Sequence, residues 1–83
     1  MPKLKIYSTK TCAFCHAEKE FLDGRGFKYD SVMVDEDQAA LDEMVKLSGM
    51  TAVPFNFVSD DDGKMLDKFV GFDQPRLVKA LGL

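Results

Sequence analysis

Cys12 and Cys15 are the only cysteines in the chain, and they stand where a predicted strand gives way to a predicted helix. A helix start presents backbone N–H groups without intrahelical partners and a partial positive charge. Both favour thiolate over thiol, and the thiolate is the nucleophile of disulfide exchange. A second thiol three residues on can attack the resulting mixed disulfide and release the product. In a short α/β chain of intracellular character, Cys12-Ala13-Phe14-Cys15 reads as a redox motif.

The chain around this motif is short. Its 83 residues suffice for one small domain, expected to span positions 1–83. A hydrophobic fraction of 46 % supports a real core, and a charged fraction of 30 % supports a soluble surface. The net charge of -3 lacks the basic footprint of a nucleic-acid binder. Two cysteines are too few for a secreted disulfide scaffold. Cys12, Cys15 and His16 fit a zinc tetrahedron badly, so no metal site is expected. No apolar run approaches the ~20 residues of a membrane-spanning helix. Met1 to Ile6 runs straight into a strand pattern without the apolar core of a signal peptide. A cytoplasmic monomer is expected.

Alternation over Lys3–Ser8 predicts the first strand. A helix is expected from about Cys12 to Arg25, with Phe14, Ala17, Phe21 and Leu22 as its apolar stripe and Glu18, Lys19 and Glu20 on the wet side. Gly24 and Gly26 supply its stop. Phe27–Asp35 reads as a second strand, and acidic Asp35-Glu36-Asp37 marks the start of a second helix ending at Gly49. Leu41, Met44, Val45 and Ser48 share one face of that helix. Pro54–Val58 and Met65–Val70 read as strands joined by the turn Asp60-Asp61-Asp62-Gly63. A last helix is expected over Gln74–Leu81, with Pro75 in its first turn. The order is βαβαββα: an α/β chain with a four-stranded mixed sheet between helices, a three-layer α/β/α sandwich.

This pattern resembles the thioredoxin superfamily, and its first half is most similar to glutaredoxins. Ile6-Tyr7-Ser8 leading to Thr11-Cys12-Ala13-Phe14-Cys15-His16 is similar to the family's Cys-Pro-Tyr-Cys segment. Ser48-Gly49 followed by Ala52-Val53-Pro54 is similar to its Thr-Val-Pro segment, and Gly71 closes the hairpin. The resemblance covers nearly the whole chain. It implies a thioredoxin-like fold, a cis Val53–Pro54 peptide facing the cysteines, and a Val53 backbone free to pair with an extended substrate. Lys10, Thr11, Phe14, Val53, Pro54, Gly71 and Phe72 are the expected substrate-binding residues.

Several positions depart from the glutaredoxin pattern. Ala13 replaces the usual Pro, and Thr9 stands where the family carries a lysine for a glutathione carboxylate. Ala52 replaces Thr, and Gly71-Phe72 replaces Gly-Gly. Sixteen residues separate Pro54 from Gly71, a span closer to thioredoxin. Gly71-Phe72 is also similar to NrdH-redoxins, which take electrons from thioredoxin reductase.

Cys12 is the expected nucleophile, and Cys15, one helical turn further in, the resolving thiol. Lys10 reads either as a partner for the thiolate or a carboxylate, or as a solvated surface residue. His16 reads as an exposed helix residue, Phe72 as an apolar cover beside Cys12 or as core, and Tyr7 as a strand residue under the active-site loop. Phe21, Phe55 and Phe57 are expected in the core. The expected activity is that of a small thiol–disulfide oxidoreductase acting on disulfide-containing proteins. Glutathione or a thioredoxin-type reductase would restore it, with no tightly bound cofactor. Two other readings are an iron–sulfur carrier that holds a cluster between protomers and a redox-sensing module that does not turn over.

Overall fold

The computed structural model describes residues 2–83; Met1 lies outside them. The elements are β1 (Lys3–Ser8), α1 (Ala13–Gly24), β2 (Asp30–Met33), α2 (Gln38–Ser48), β3 (Phe55–Ser59), β4 (Met65–Val70) and α3 (Gln74–Leu81). They form a four-stranded sheet in the order β2-β1-β3-β4. β1 pairs with β2 in parallel and with β3 in antiparallel fashion, and β3 pairs with β4 in antiparallel fashion. The expected thioredoxin-like α/β architecture is therefore present.

Strand alternation divides the core between two faces of this sheet. Leu4, Ile6, Val58 and Phe69 pack with Leu22 of α1 and with Leu77 and Leu81 of α3. Tyr7 and Phe55 turn the other way and pack with Ala40 and Met44 of α2. Side chains close the helix starts. Asp37 accepts from the backbone of Ala39 and Ala40 at the head of α2, and Asp73 accepts from Arg76 at the head of α3. Gly49 ends α2 with φ +77°, a left-handed value that suits glycine.

Three expectations need correction. The second strand is Asp30–Met33 rather than Phe27–Asp35, because the ladder to β1 begins only at Lys5–Asp30. Phe27 and Tyr29 instead pack, half-buried, against the α1/α3 core. Second, the buried face of α1 is Cys15, Glu18 and Leu22, one residue out of phase with the expected stripe. Phe14 is left 69 % exposed, and Glu18, expected on the wet side, is fully buried. Third, the buried residues of α2 are Ala40 and Met44, while Val45 is exposed. Phe55 is buried as expected, whereas Phe21 and Phe57 are half-buried. Among the described residues no helix is long and apolar enough to cross a membrane.

Candidate active site

The strand directions bring three connections to one end of the sheet. Residues 9–12 follow β1, residues 49–54 precede β3, and residues 71–73 follow β4. Cys12 lies in the first connection as the N-cap of α1, with extended backbone at φ -84° and ψ 107°. Its sulfur accepts a hydrogen bond from the backbone N–H of Cys15 at 3.2 Å. The contact satisfies one of the N–H groups that a helix start leaves without an intrahelical partner. Cys12 is partly exposed, while Cys15 is buried, and neither is in a disulfide.

The two thiols therefore face different environments. Burial pushes the Cys15 thiol up to about 12, with the hydrogen bond to Cys12 adding to the effect. A backbone hydrogen bond involving Thr9 and the charge of Lys19 oppose the shift. Cys12 is the sulfur that solvent and a substrate can reach.

The neighbouring loop is tied down by charge. The Lys10 backbone N–H donates to Asp35 Oδ2 at 3.0 Å, and its ammonium is paired with the Glu36 carboxylate. His16 is exposed, and its Nε2 lies 2.8 Å from the Lys10 carbonyl oxygen. Thr11 is exposed beside Cys12, and Phe14 presents its ring to solvent on the first turn of α1.

The Val53–Pro54 peptide is cis, as expected, with Pro54 buried and Val53 half-buried. The Gly71 N–H donates to the Pro54 carbonyl at 2.8 Å and joins the second and third connections. Gly71 takes φ +102°, a conformation that favours glycine. Phe72 is half-buried, and its ring centroid lies 5.8 Å from that of Phe21 on α1. Pro54, Gly71 and Phe72 thus form a connected support. Lys10 belongs to a rim held by Asp35 and Glu36, with Thr11 next to it in the chain.

Sequence reasoning set Glu18 on the wet side and passed over Asn56, and both are fully buried. An asparagine amid the apolar positions of β3 was the available signal.

The glutaredoxin family model matches residues 4–62. The chain belongs to the glutaredoxin family. Its class of chemistry is thus thiol–disulfide oxidoreduction, and Cys12-Ala13-Phe14-Cys15 supplies the Cys-X-X-Cys pair. The chain is 34 % identical over 79 residues to glutaredoxin 3 of Escherichia coli, a match covering 88 % of this chain and 95 % of the relative. It is 35 % identical over 78 residues to a glutaredoxin-like 8.6 kDa protein in the rubredoxin operon of Clostridium pasteurianum, covering 94 % and 96 %. Among solved structures, NrdH-redoxin of Escherichia coli superposes with a TM-score of 0.73 at 25 % identity, covering 93 % of this chain and 92 % of that one. Methanoredoxin of Methanosarcina acetivorans superposes with a TM-score of 0.80 at 26 % identity, covering 98 % and 85 %.

Proposed function

We propose that the protein reduces disulfides in extended protein segments by a dithiol mechanism. The Cys12 thiolate attacks one sulfur of the substrate disulfide. A Cys12–substrate disulfide forms, and the other substrate sulfur leaves as a thiolate that takes a proton from solvent. Cys15 then loses its proton and attacks the Cys12 sulfur. The second substrate thiol is released, and a Cys12–Cys15 disulfide remains. The substrate gains two electrons and two protons; the protein gives up two electrons and the Cys15 proton, and solvent supplies the other proton. A reductase dithiol or two glutathione thiols return them.

The observation that carries this reading is the N-cap pair itself: an accessible Cys12 sulfur hydrogen-bonded at 3.2 Å by the backbone of a buried Cys15. The cis Val53–Pro54 segment and Gly71 supply the substrate support, with the Val53 backbone as an edge for strand pairing.

For the electron donor, the same reading favours a thioredoxin-type reductase over a dedicated glutathione site. Thr9 carries no charge, and Phe72 adds a ring beside Gly71. Reduction of the oxidised protein by thioredoxin reductase, side by side with glutathione and glutathione reductase, tests the assignment. Efficient turnover with the first and slow, unsaturated turnover with the second is expected. Saturation at low millimolar glutathione would reverse the donor assignment.

A further inference from the structure

Glu18 projects from α1 into the core, three residues beyond Cys15, and is fully buried. Neither of its carboxyl oxygens has a hydrogen-bond partner. Asn56, on β3, pairs in register with Ile6 of β1 on one side and Phe69 of β4 on the other. It too is fully buried, and its side-chain oxygen Oδ1 has no partner. Its nitrogen is committed elsewhere: Nδ2 donates to the Gly71 carbonyl at 3.0 Å and lies 3.5 Å from that of Phe69. Turning the amide over would set its oxygen against those two carbonyl oxygens, so the network fixes its orientation.

The Asn56 amide lies close enough to Glu18 to favour its carboxylate as a donor does, while no hydrogen bond to either carboxyl oxygen is complete. A carboxylate has no donor, whereas a carboxylic acid has one O–H. A neutral Glu18 therefore makes the weaker claim on the Asn56 N–H groups, and a charged one the stronger. Burial favours that proton and raises Glu18 to about 7, against the opposing influence of Asn56 and Lys19. The charged and titratable groups acting at this place are Lys19 of α1 and Tyr29 ahead of β2. The Lys19 ammonium is directed to Ser8 Oγ at 2.9 Å and Met33 Sδ at 3.8 Å. β3 contributes the neutral Asn56, and α3 faces this core with Leu77 and Leu81.

We infer that Glu18, while a carboxylic acid, leaves Asn56 Nδ2 to the Gly71 carbonyl and so lets Asn56 hold the Gly71–Pro54 bridge in place, which makes Glu18 a positioning residue tying substrate affinity to pH. The chain of contacts runs from Glu18 to Asn56, from Asn56 Nδ2 to the Gly71 carbonyl, and from the Gly71 N–H to the Pro54 carbonyl. Ionisation sends the Glu18 proton to solvent and leaves a buried carboxylate in need of a donor. Asn56 Nδ2 is the donor at hand. Rotating toward Glu18 takes it from Gly71 and loosens the substrate support. The kinetic part of this inference rests on the disulfide-reducing function proposed above; the structural link does not.

The test pairs NMR with kinetics. In the reduced wild-type protein, the Glu18 carboxyl carbon, the Asn56 side-chain amide and the Gly71 amide are followed from pH 5 to 9. All three are expected to share one midpoint near 7. Glu18→Gln, which keeps an N–H donor and has no proton to lose, is expected to abolish the step at Asn56 and Gly71. With a disulfide peptide as substrate, the wild-type KM is expected to rise about fivefold across the step, the equivalent of one neutral hydrogen bond. The Glu18→Gln KM is expected to stay flat while kcat keeps the pH profile set by the cysteines. A Glu18 midpoint near the ordinary 4.5 overturns the inference. So does a midpoint near 7 without a response at Asn56 and Gly71, or an unchanged KM profile in Glu18→Gln. If no disulfide is turned over at all, the functional proposal fails alone, and the NMR titration, which needs no substrate or variant, still decides the link.

Discussion

The backbone N–H of Cys15 supports the sulfur of Cys12 at 3.2 Å while the sulfur of Cys15 is itself shut away from solvent. One residue thus serves its neighbour with its main chain and waits with its side chain. Chemical access is correspondingly unequal. A thiol raised to about 12 is ionised to only about one part in 10⁵ at pH 7. Iodoacetamide should alkylate Cys12 first, and the buried Cys15 far more slowly. Mass spectrometry of timed digests of the reduced protein checks this. Comparable labelling of both cysteines in the native protein would contradict the assigned roles. In the same framework, Cys15→Ser should accumulate the mixed disulfide at Cys12, and Cys12→Ser should form none at a comparable rate.

Glu18 makes a second prediction, on stability. Its folded-state value of about 7 lies above the ordinary 4.5 because burial penalises the carboxylate. The folded chain therefore holds this proton more tightly than the unfolded chain. The favourable contribution is complete below about 4.5, fades as pH rises, and is gone above about 7. Its size is about 3 kcal/mol. Glu18→Gln does not titrate, so its stability relative to the wild type should rise by about that amount between pH 4.5 and 8. Glu43 and Asp67, which are held low by Tyr7 and Arg76, shift stability the opposite way but are common to both proteins and cancel in the difference. Urea unfolding at pH 5 and pH 8 measures it. A difference independent of pH would remove Glu18 from the titrating groups.

The order of elements was legible because each strand carries its own alternation and each helix its own stop. Gly49 ends α2 at the place its position suggests, and Pro75 opens α3. The phase of α1 was not legible. Phe14, Ala17 and Phe21 make a better apolar stripe on paper than Cys15, Glu18 and Leu22. In the structure Cys12 caps the helix, and the first turn points Cys15 inward and leaves Phe14 outward. Glu18, three residues on from Cys15, is carried into the core by the same rotation. The redox pair was readable from spacing and placement. The Lys10–Glu36 contact and the Asn56–Gly71 bond were not, since each joins residues far apart in sequence.

Asp37 gives a third prediction, on local order. Its side chain accepts from Ala39 at 3.0 Å and Ala40 at 3.3 Å, which satisfies two N–H groups at the head of α2. Asp37→Ala should destabilise the protein by about 1 kcal/mol, and Asp37→Asn by clearly less. The urea midpoint at constant slope reads this directly.

The last prediction concerns glutathione. A glutathione carboxylate calls for a cation at the rim, and glutaredoxins carry a lysine where this chain has Thr9. Lys10 is one position away, but its ammonium is held by Glu36 and its backbone by Asp35. The Lys10–Glu36 pair is mostly exposed, so it contributes little to stability, and breaking it should restore little affinity. Glu36→Gln should therefore change glutathione affinity by less than about fivefold, since an exposed pair is worth under about 1 kcal/mol. Thr9→Lys supplies a charge-assisted hydrogen bond of roughly 1.5–3 kcal/mol and should tighten glutathione by about tenfold or more. Chemical-shift mapping in a Cys15→Ser background, with and without each change, separates the two. Saturable shifts at Val53, Gly71 and Phe72 at low millimolar glutathione or below, in protein that retains Thr9, would show that the site already binds glutathione and that the departures at Thr9 and Phe72 do not weaken it.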